Sequence, residues 1–184
     1  MTLPRIAVLT AAHSARLHLL AECVASVAAQ TLPPVQHVIG VDHEHAGCIP
    51  TMNRMLRSVD ADWVAQLADD DLADPTHLET LAWGCDDADI IYTWCRVEGR
   101  DWNPNRDFDP DLLRTQNYIP STSLIRKSLI DRLGGWREDA AHGFEDWDFW
   151  LRALDEGARF ECRRAVTWTY RFTEAGNLSM GTLR

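Results

Sequence analysis

The N-terminal third of the chain alternates between short apolar runs and amphipathic segments. The run Arg5–Thr10 is apolar and short, as in a buried strand. After Ser14 the apolar residues recur at the spacing of one helix face, at Leu17, Leu20, Ala21, Val24, Val27 and Ala28. The pattern therefore predicts a strand followed by a helix, with Ser14 as its N-cap and an end before Pro33.

Two more strands follow in this half, with a short helix between them. The apolar segments are 35–42 and 63–68, and the helical pattern lies at 50–59. Alternation of strand and helix is typical of an α/β fold with a parallel sheet and right-handed crossovers. Ligands of such sheets bind beyond the carboxyl ends of the strands. These ends are Thr10–Ala12, Asp42 and Asp69–Asp71, so we expect them to meet in one crevice.

The second half is less regular but still mixes both patterns. Helical patterns lie at 76–85, 127–133 and 145–157, extended patterns at 89–95, 119–125 and 159–172, and a polar loop at 99–117. No internal repeat or change of composition divides the chain. We therefore predict one α/β domain over residues 1–184.

Composition limits the classes of function. The formal charge of −10 argues against a general nucleic-acid binder, which needs a basic surface. The five cysteines are scattered without metal-site spacing, which favours a reducing, cytoplasmic compartment. Neither a membrane-spanning run nor a signal-peptide pattern is found, so we expect no membrane span.

Three consecutive carboxylates, Asp69, Asp70 and Asp71, follow the predicted strand 63–68. Mg²⁺ and Mn²⁺ prefer oxygen ligands and often take only one or two carboxylates from the protein, with substrate phosphates and water completing the shell. The cluster is thus a candidate site for a metal-bound nucleotide. The alternative is a solvated turn in which Asp70 or Asp71 caps the helix after Pro75.

A second acidic pair, Glu145 and Asp146, opens the predicted helix at 145–157. In an aromatic cleft, Asp146 is a candidate general base for an attacking hydroxyl. The alternative is a cap that interacts with the helix dipole. Trp147 and Trp150 either line such a cleft or fill the core, and the core is the favoured place for Trp150.

Other polar residues have two interpretations each. Asp42 is a candidate partner of a base or ribose, or a turn cap. Late arginines are candidates for a phosphate clamp or solvated strand residues: Arg163, Arg164 and Arg171.

Taken together and in this order, these segments resemble the nucleotide-diphospho-sugar glycosyltransferases of family 2, over about residues 5–171. Ser26–Thr31 resembles the family's Ser-Val-Leu-x-Gln-Thr segment, and Val38–Asp42 its Val-Val-Asp-Asp strand. Asn53 and the stretch Leu67–Leu72 are similar to its Arg-Asn-x-Gly and Leu-Asp-x-Asp-Asp motifs, with Ala68 at the first Asp. Gly134–Glu138 and Glu145–Arg152 resemble its Gly-Gly-Phe-x-Glu and Glu-Asp-Trp-Asp-Leu-Trp-Leu-Arg segments, which are specific.

The resemblance implies a GT-A fold, with a mostly parallel nucleotide-binding sheet flanked by helices. It implies a metal-dependent inverting transferase that moves a sugar from a nucleotide-diphospho-sugar to a hydroxyl acceptor, with Mn²⁺ or Mg²⁺ as cofactor. Asp146 would be the catalytic base, and Asp71 with Asp69 the metal ligands. Glu145 and Trp147 would lie on the acceptor side. The donor would be held by Thr10, Ala11, Ala12, Asp42, Asn53, Asp69, Asp70 and Arg171.

Two rival functions fit part of the pattern. A nucleotidyltransferase also needs paired carboxylates and a metal, yet Thr10–Ser14 has neither the glycine nor the basic residue of a phosphate loop. A nucleotide-sugar or carbohydrate-binding module without catalysis would not need Asp146. The acceptor stays open among a glycan, a lipid carrier, a protein and a modified nucleobase, and the net charge does not favour nucleic acid.

Overall fold

Residues 3–43, 47–140 and 143–172 are described by the computed structural model, and their strands form a seven-stranded sheet. The strands are β1 (Ile6–His13), β2 (Gln36–Asp42), β3 (Trp63–Gln66), β4 (Leu72–Ala73), β5 (Ile90–Glu98), β6 (Ser123–Arg126) and β7 (Phe160–Arg171). The α-helices are α1 (Leu17–Ala28), α2 (Cys48–Leu56), α3 (His77–Ala82), α4 (Pro110–Leu113), α5 (Lys127–Leu133) and α6 (Glu145–Asp155).

The strand order is β2-β1-β3-β6-β5-β7-β4. The first three strands are parallel, as their pattern predicts, and β5 and β7 run in the same direction as these. Only β6 and β4 run the other way. The sheet is thus mostly parallel, with antiparallel neighbours in its second half.

Two apolar layers cover the two faces of the sheet. Along β1, Ile6 and Val8 pack in one cluster and Leu9 in the other, because neighbouring side chains of a strand alternate between faces. The first cluster also takes residues of α1 and α3, and the second takes residues of α2, α5 and α6. Trp150 is fully buried in the second cluster, in agreement with its predicted place in the core.

The structure corrects several predicted elements. Ser14 does not cap α1: residues 14–16 form a 3-10 turn, and Arg16 stands at the N-cap without a side-chain capping bond. The predicted strand 119–125 contracts to β6. Two elements were not predicted, the short strand β4 and the single turn α4, which Asp109 caps by accepting bonds from the amides of Asp111 and Leu112. Both are too short to show a hydrophobic period.

Candidate active site

The three consecutive aspartates lie inside the protein. Asp69, Asp70 and Asp71 are 0%, 7% and 4% exposed. This burial excludes the solvated-turn interpretation. Burial raises the pKa of both Asp70 and Asp71. Because buried carboxylates need compensating partners, the contacts around them define the site.

Arg16 supplies positive charge to this cluster. Its Nη2 atom lies 2.9 Å from Oδ1 of Asp69, and its Nη1 atom donates to Oδ2 of Asp70 over 3.0 Å. The Arg16 side chain is only 16% exposed. One guanidinium group therefore bridges two buried carboxylates and opposes the rise in the pKa of Asp70.

Asp71 is held by the end of β7. Its Oδ1 atom accepts a hydrogen bond of 2.9 Å from the backbone amide of Arg171. The Arg171 side chain donates to the carbonyl of Asp70 and to the carboxylate of Glu22 on α1. The predicted donor residue Arg171 therefore lies at the acidic cluster, but Arg163 and Arg164 do not take part in it. Arg163 donates to the Glu161 carboxylate and to the Thr80 carbonyl, and Arg164 donates to the Asp107 carboxylate.

The ends of the first two strands also reach this edge. The amide of His13, the last residue of β1, donates to Oδ2 of Asp69 over 2.8 Å. Thr10 is fully buried, with its hydroxyl 3.0 Å from Nε2 of His37, so its side chain points inside the fold. Ala12 is also buried, and Ala11 is partly buried. Asp42 ends β2 and accepts a bond of 2.9 Å from the amide of Gly47, the contact expected of a turn cap.

Asn53, predicted to bind the donor, connects α2 to the segment after α5. Its Nδ2 donates to the carbonyl of Trp136 over 2.8 Å, and its Oδ1 accepts from the Trp136 amide over 3.1 Å. Both ends of the amide are thus used by one backbone residue. Gly135 leaves room for this contact, since a Cβ there would lie 2.7 Å from Oδ1 of Asn53.

Asp146 lies in the first turn of α6. Its Oδ1 atom accepts bonds from Nδ2 of Asn117 over 3.0 Å and from the amide of Trp147 over 2.8 Å. Burial raises the pKa of Asp146 to about 6, and the negative charge of Glu145 adds to the rise. The two hydrogen bonds oppose it. A carboxylate with this pKa is ionised at neutral pH and still basic enough to take a proton.

Cys48, at the start of α2, is within electrostatic range of both acidic groups. Its side chain is exposed, but desolvation by the surrounding protein raises the pKa of its thiol to about 11. Glu145, Asp69 and Asp146 all add to this rise by their negative charge, and Arg16 opposes it. The aspartate cluster and the start of α6 therefore both lie within electrostatic range of one thiol.

The chain is similar to known glycosyltransferases both in sequence and in structure. The chain is 25% identical to the uncharacterized glycosyltransferase YwdF of Bacillus subtilis (strain 168), over 88% of this chain and 72% of YwdF. Its structure matches that of S. aureus TarS 1-349 in complex with UDP-GlcNAc, with a TM-score of 0.79 and 14% identity over 98% of this chain. It also matches mannosyltransferase PcManGT from Pyrobaculum calidifontis, in complex with GDP-Man and Mn2+, with a TM-score of 0.70 and 18% identity over 96% of this chain.

The fold is that of a GT-A-type glycosyltransferase. The chain spans 62% of the matched TarS chain and 59% of the PcManGT chain. No family model matches the sequence. Among the described helices, none is long and apolar enough to cross a membrane.

Within this GT-A fold, three contacts of the candidate site were not predicted from the sequence. These are the bridge from Arg16, the amide of His13 and the side chain of Asn117. Arg16 lies between the first strand and the helical stripe, where a single charged residue gives no sign of its partner. Asn117 lies in an irregular loop without a motif. Trp147, predicted on the acceptor side, is partly buried beside Phe144 and donates from Nε1 to the Leu113 carbonyl over 2.7 Å.

Proposed function

We propose that this chain transfers a sugar from a nucleotide-diphospho-sugar donor to a hydroxyl acceptor, with inversion at the anomeric carbon. The proposal rests on the GT-A fold together with two acidic groups, which we propose to face one cleft. One is the buried cluster Asp69–Asp71 with its two arginines, and the other is Asp146, whose pKa is raised to about 6. The influence of both groups on Cys48 supports this arrangement.

In the proposed reaction Asp146 is the general base. Its carboxylate takes the proton of the acceptor hydroxyl as that oxygen attacks the anomeric carbon, and the nucleoside diphosphate leaves from the opposite face. Asp146 needs to be ionised for this role, so activity should fall below about pH 6. Glu145 and Trp147, its neighbours on α6, are proposed to face the acceptor.

On the donor side, β1 and β2 end beside the acidic cluster. Ala11, Ala12 and Asp42 are proposed to contact the nucleoside, and Asp70 and Arg171 to lie beside the ribose and diphosphate. The Thr10 hydroxyl is used by His37 and the Asn53 amide by Trp136. We therefore expect Thr10 and Asn53 to stabilise the segments around the donor site, without contacting the donor through these polar groups.

Asp69 and Asp71 are the residues proposed to hold Mn²⁺ or Mg²⁺. Carboxylate oxygens are the right type of ligand, and Oδ1 of Asp69 already contacts one cation, the guanidinium of Arg16, over 2.9 Å. In those residues no group of three or more His, Cys, Asp or Glu is arranged as a metal site, so the diphosphate and water would supply the remaining ligands. A bound cation would offset the negative charge that grows on the leaving diphosphate.

The first experiment identifies the donor. Thermal shift is measured with nucleoside diphosphates and nucleotide sugars, including UDP-GlcNAc and GDP-mannose, with and without Mn²⁺. A ligand that binds only the folded state raises its apparent stability. Release of nucleoside diphosphate is then measured with the stabilising donors.

The decisive variant is Asp146→Asn, with Asp148→Asn as its matched control. Both remove a carboxylate from the first turn of α6, but Asp148 forms ion pairs, at 2.7 Å with Arg152 and at 3.6 Å with Arg137, whereas Asp146 accepts a hydrogen bond from Asn117. We expect Asp146→Asn to lower turnover by a factor of ~10²–10⁴, the usual contribution of a general base, while nucleotide binding by calorimetry persists. Parallel loss of turnover and binding in Asp146→Asn, or equal loss in both variants, would reject the base assignment.

A further inference from the structure

Asn117 is the only side chain outside α6 that donates to Asp146 within the described residues. It lies in the loop between α4 and β6, 29 positions before Asp146 in the sequence. Both hydrogen bonds reach the same oxygen, Oδ1, from the Asn117 amide and the Trp147 backbone. In the described part of the chain Oδ2 accepts no hydrogen bond from another residue, so it is the oxygen placed to take a proton.

The loop that carries Asn117 is fastened to α6 on both sides of this residue. Trp147 donates from its indole to the Leu113 carbonyl over 2.7 Å, and Trp150 donates to the Ile119 carbonyl over 3.1 Å. Asn117 lies between these two anchors. A side chain held in this way loses little entropy when it contacts Asp146, so its hydrogen bond is well suited to fix the carboxylate.

The other end of the Asn117 amide strengthens this interpretation. Its Oδ1 atom is buried and makes no hydrogen bond within the described residues. An unpaired buried oxygen costs free energy, and an apolar side chain could fill the same space without this cost. The cost is offset by a charge-assisted bond from Nδ2 to the Asp146 carboxylate.

We propose that Asn117 is a positioning residue for the general base, holding Oδ1 of Asp146 so that Oδ2 faces the acceptor hydroxyl. This inference rests on the proposed transferase function and assigns a second residue to the work of its general base.

The Asn117 bond also stabilises the ionised carboxylate of Asp146. It thereby opposes burial and the charge of Glu145, which both favour the protonated form. The thiol of Cys48 on α2 is also within electrostatic range of Asp146. Loss of Asn117 should thus both misplace the base and raise its pKa.

The test is the pH dependence of kcat/KM in Asn117→Ala and Asn117→Asp, with water as the acceptor and the donor identified by the thermal-shift screen. The wild-type profile should fall on the acidic side with a midpoint near pH 6. In Asn117→Ala we expect ~10- to 100-fold lower kcat/KM at pH 7, part of the ~10²–10⁴ that a base contributes. The midpoint should also move to higher pH, and further in Asn117→Asp, where a second carboxylate faces the first.

Asn53→Ala is the matched control because it also removes a partly buried amide that fastens one segment to another. Among the described residues Asn53 makes no hydrogen bond to Asp146, so the midpoint should not move even if the rate falls. Equal loss of rate at every pH in the Asn117 variants, with an unchanged midpoint, would overturn the proposal and leave Asn117 as a structural anchor. Two other outcomes would instead reject Asp146 as the base: a wild-type profile without an acidic midpoint, or an acidic midpoint that is still present in Asp146→Asn.

Discussion

The backbone amide of His13 lies 2.8 Å from Oδ2 of Asp69, across 56 positions of sequence. One residue ends β1 and the other follows β3, the strand that pairs beside it in parallel. The bond brings the end of the first strand onto the acidic cluster. It is also one of the contacts that make a fully buried Asp69 tolerable.

Arg16 should be essential for the stability of this cluster. Arg16→Ala leaves Asp69 and Asp70 buried without their bridging guanidinium, and loss of one partner of a buried ion pair typically costs about 3–5 kcal/mol. Denaturant unfolding measures this loss. Arg114→Ala, which breaks an exposed pair with Asp155, should have little effect.

Mn²⁺ provides a second measurement on the Arg16 variant. If a cation binds the same carboxylates, Mn²⁺ should raise the Tm of Arg16→Ala more than that of the wild type, because it replaces the missing charge. An equal rise in both proteins would show that the cation does not share these carboxylates with Arg16.

Asp71 should separate metal binding from backbone capping. Asp71→Asn keeps an oxygen for the Arg171 amide and removes a buried charge, whereas Asp71→Ala leaves that amide unpaired at a cost of about 1–3 kcal/mol. Burial raises the pKa of Asp71 in the folded state above that in the unfolded chain. Above about pH 4 the unfolded chain therefore loses this proton while the folded state keeps it. The free energy of unfolding of the wild type then falls as pH rises. The stability of Asp71→Asn relative to the wild type should therefore increase with pH, as measured by urea unfolding.

The metal role of Asp71 is tested with the same two variants. Calorimetry should show weaker binding of the nucleoside diphosphate in Mn²⁺ and little change in the presence of a chelator. Equal weakening in both conditions would mean that Asp71 acts only on the structure.

The contact between Gly135 and Asn53 predicts different outcomes for two adjacent glycines. Gly134 and Gly135 both have positive φ, of 74° and 79°, so alanine is strained at either position. A Cβ at Gly134 meets open space, but at Gly135 it would overlap Oδ1 of Asn53. We expect Gly135→Ala to be the more destabilising by at least about 1 kcal/mol, since it also breaks the bonds to Trp136. Similar Tm values for the two variants would contradict the importance of the Asn53 contact.

His77 should make the protein sensitive to acid. It is 2% exposed, its Nδ1 lies 2.8 Å from the Thr167 hydroxyl, and burial lowers its pKa to about 4. Between about pH 6.5 and 4 the unfolded chain takes up a proton that the folded state excludes, so stability is lost as pH falls through this range. At ~1.4 kcal/mol per pKa unit, the loss is about 3 kcal/mol.

The measurement is the Tm of the wild type and His77→Asn across this pH range. The variant should lose less stability on acidification, because asparagine does not titrate. His18→Asn, at an exposed position on α1, is the control and should follow the wild type. Parallel curves for all three proteins would remove His77 as the source of the acid sensitivity.

The sequence by itself determined the parallel first half of the sheet, the long helices α1 and α6, and the acidic residues at strand and helix ends. These features depend on local periodicity and on residue type, both of which can be read along the chain. The burial of Asp69–Asp71, the bridge by Arg16, and the pairing of Asn53 with Trp136 and of Asn117 with Asp146 were decided only by the tertiary structure. Each of these pairings joins residues 29 to 83 positions apart. The choice of partner and the loss of solvent both depend on which segments pack together, and a local sequence pattern does not contain this information.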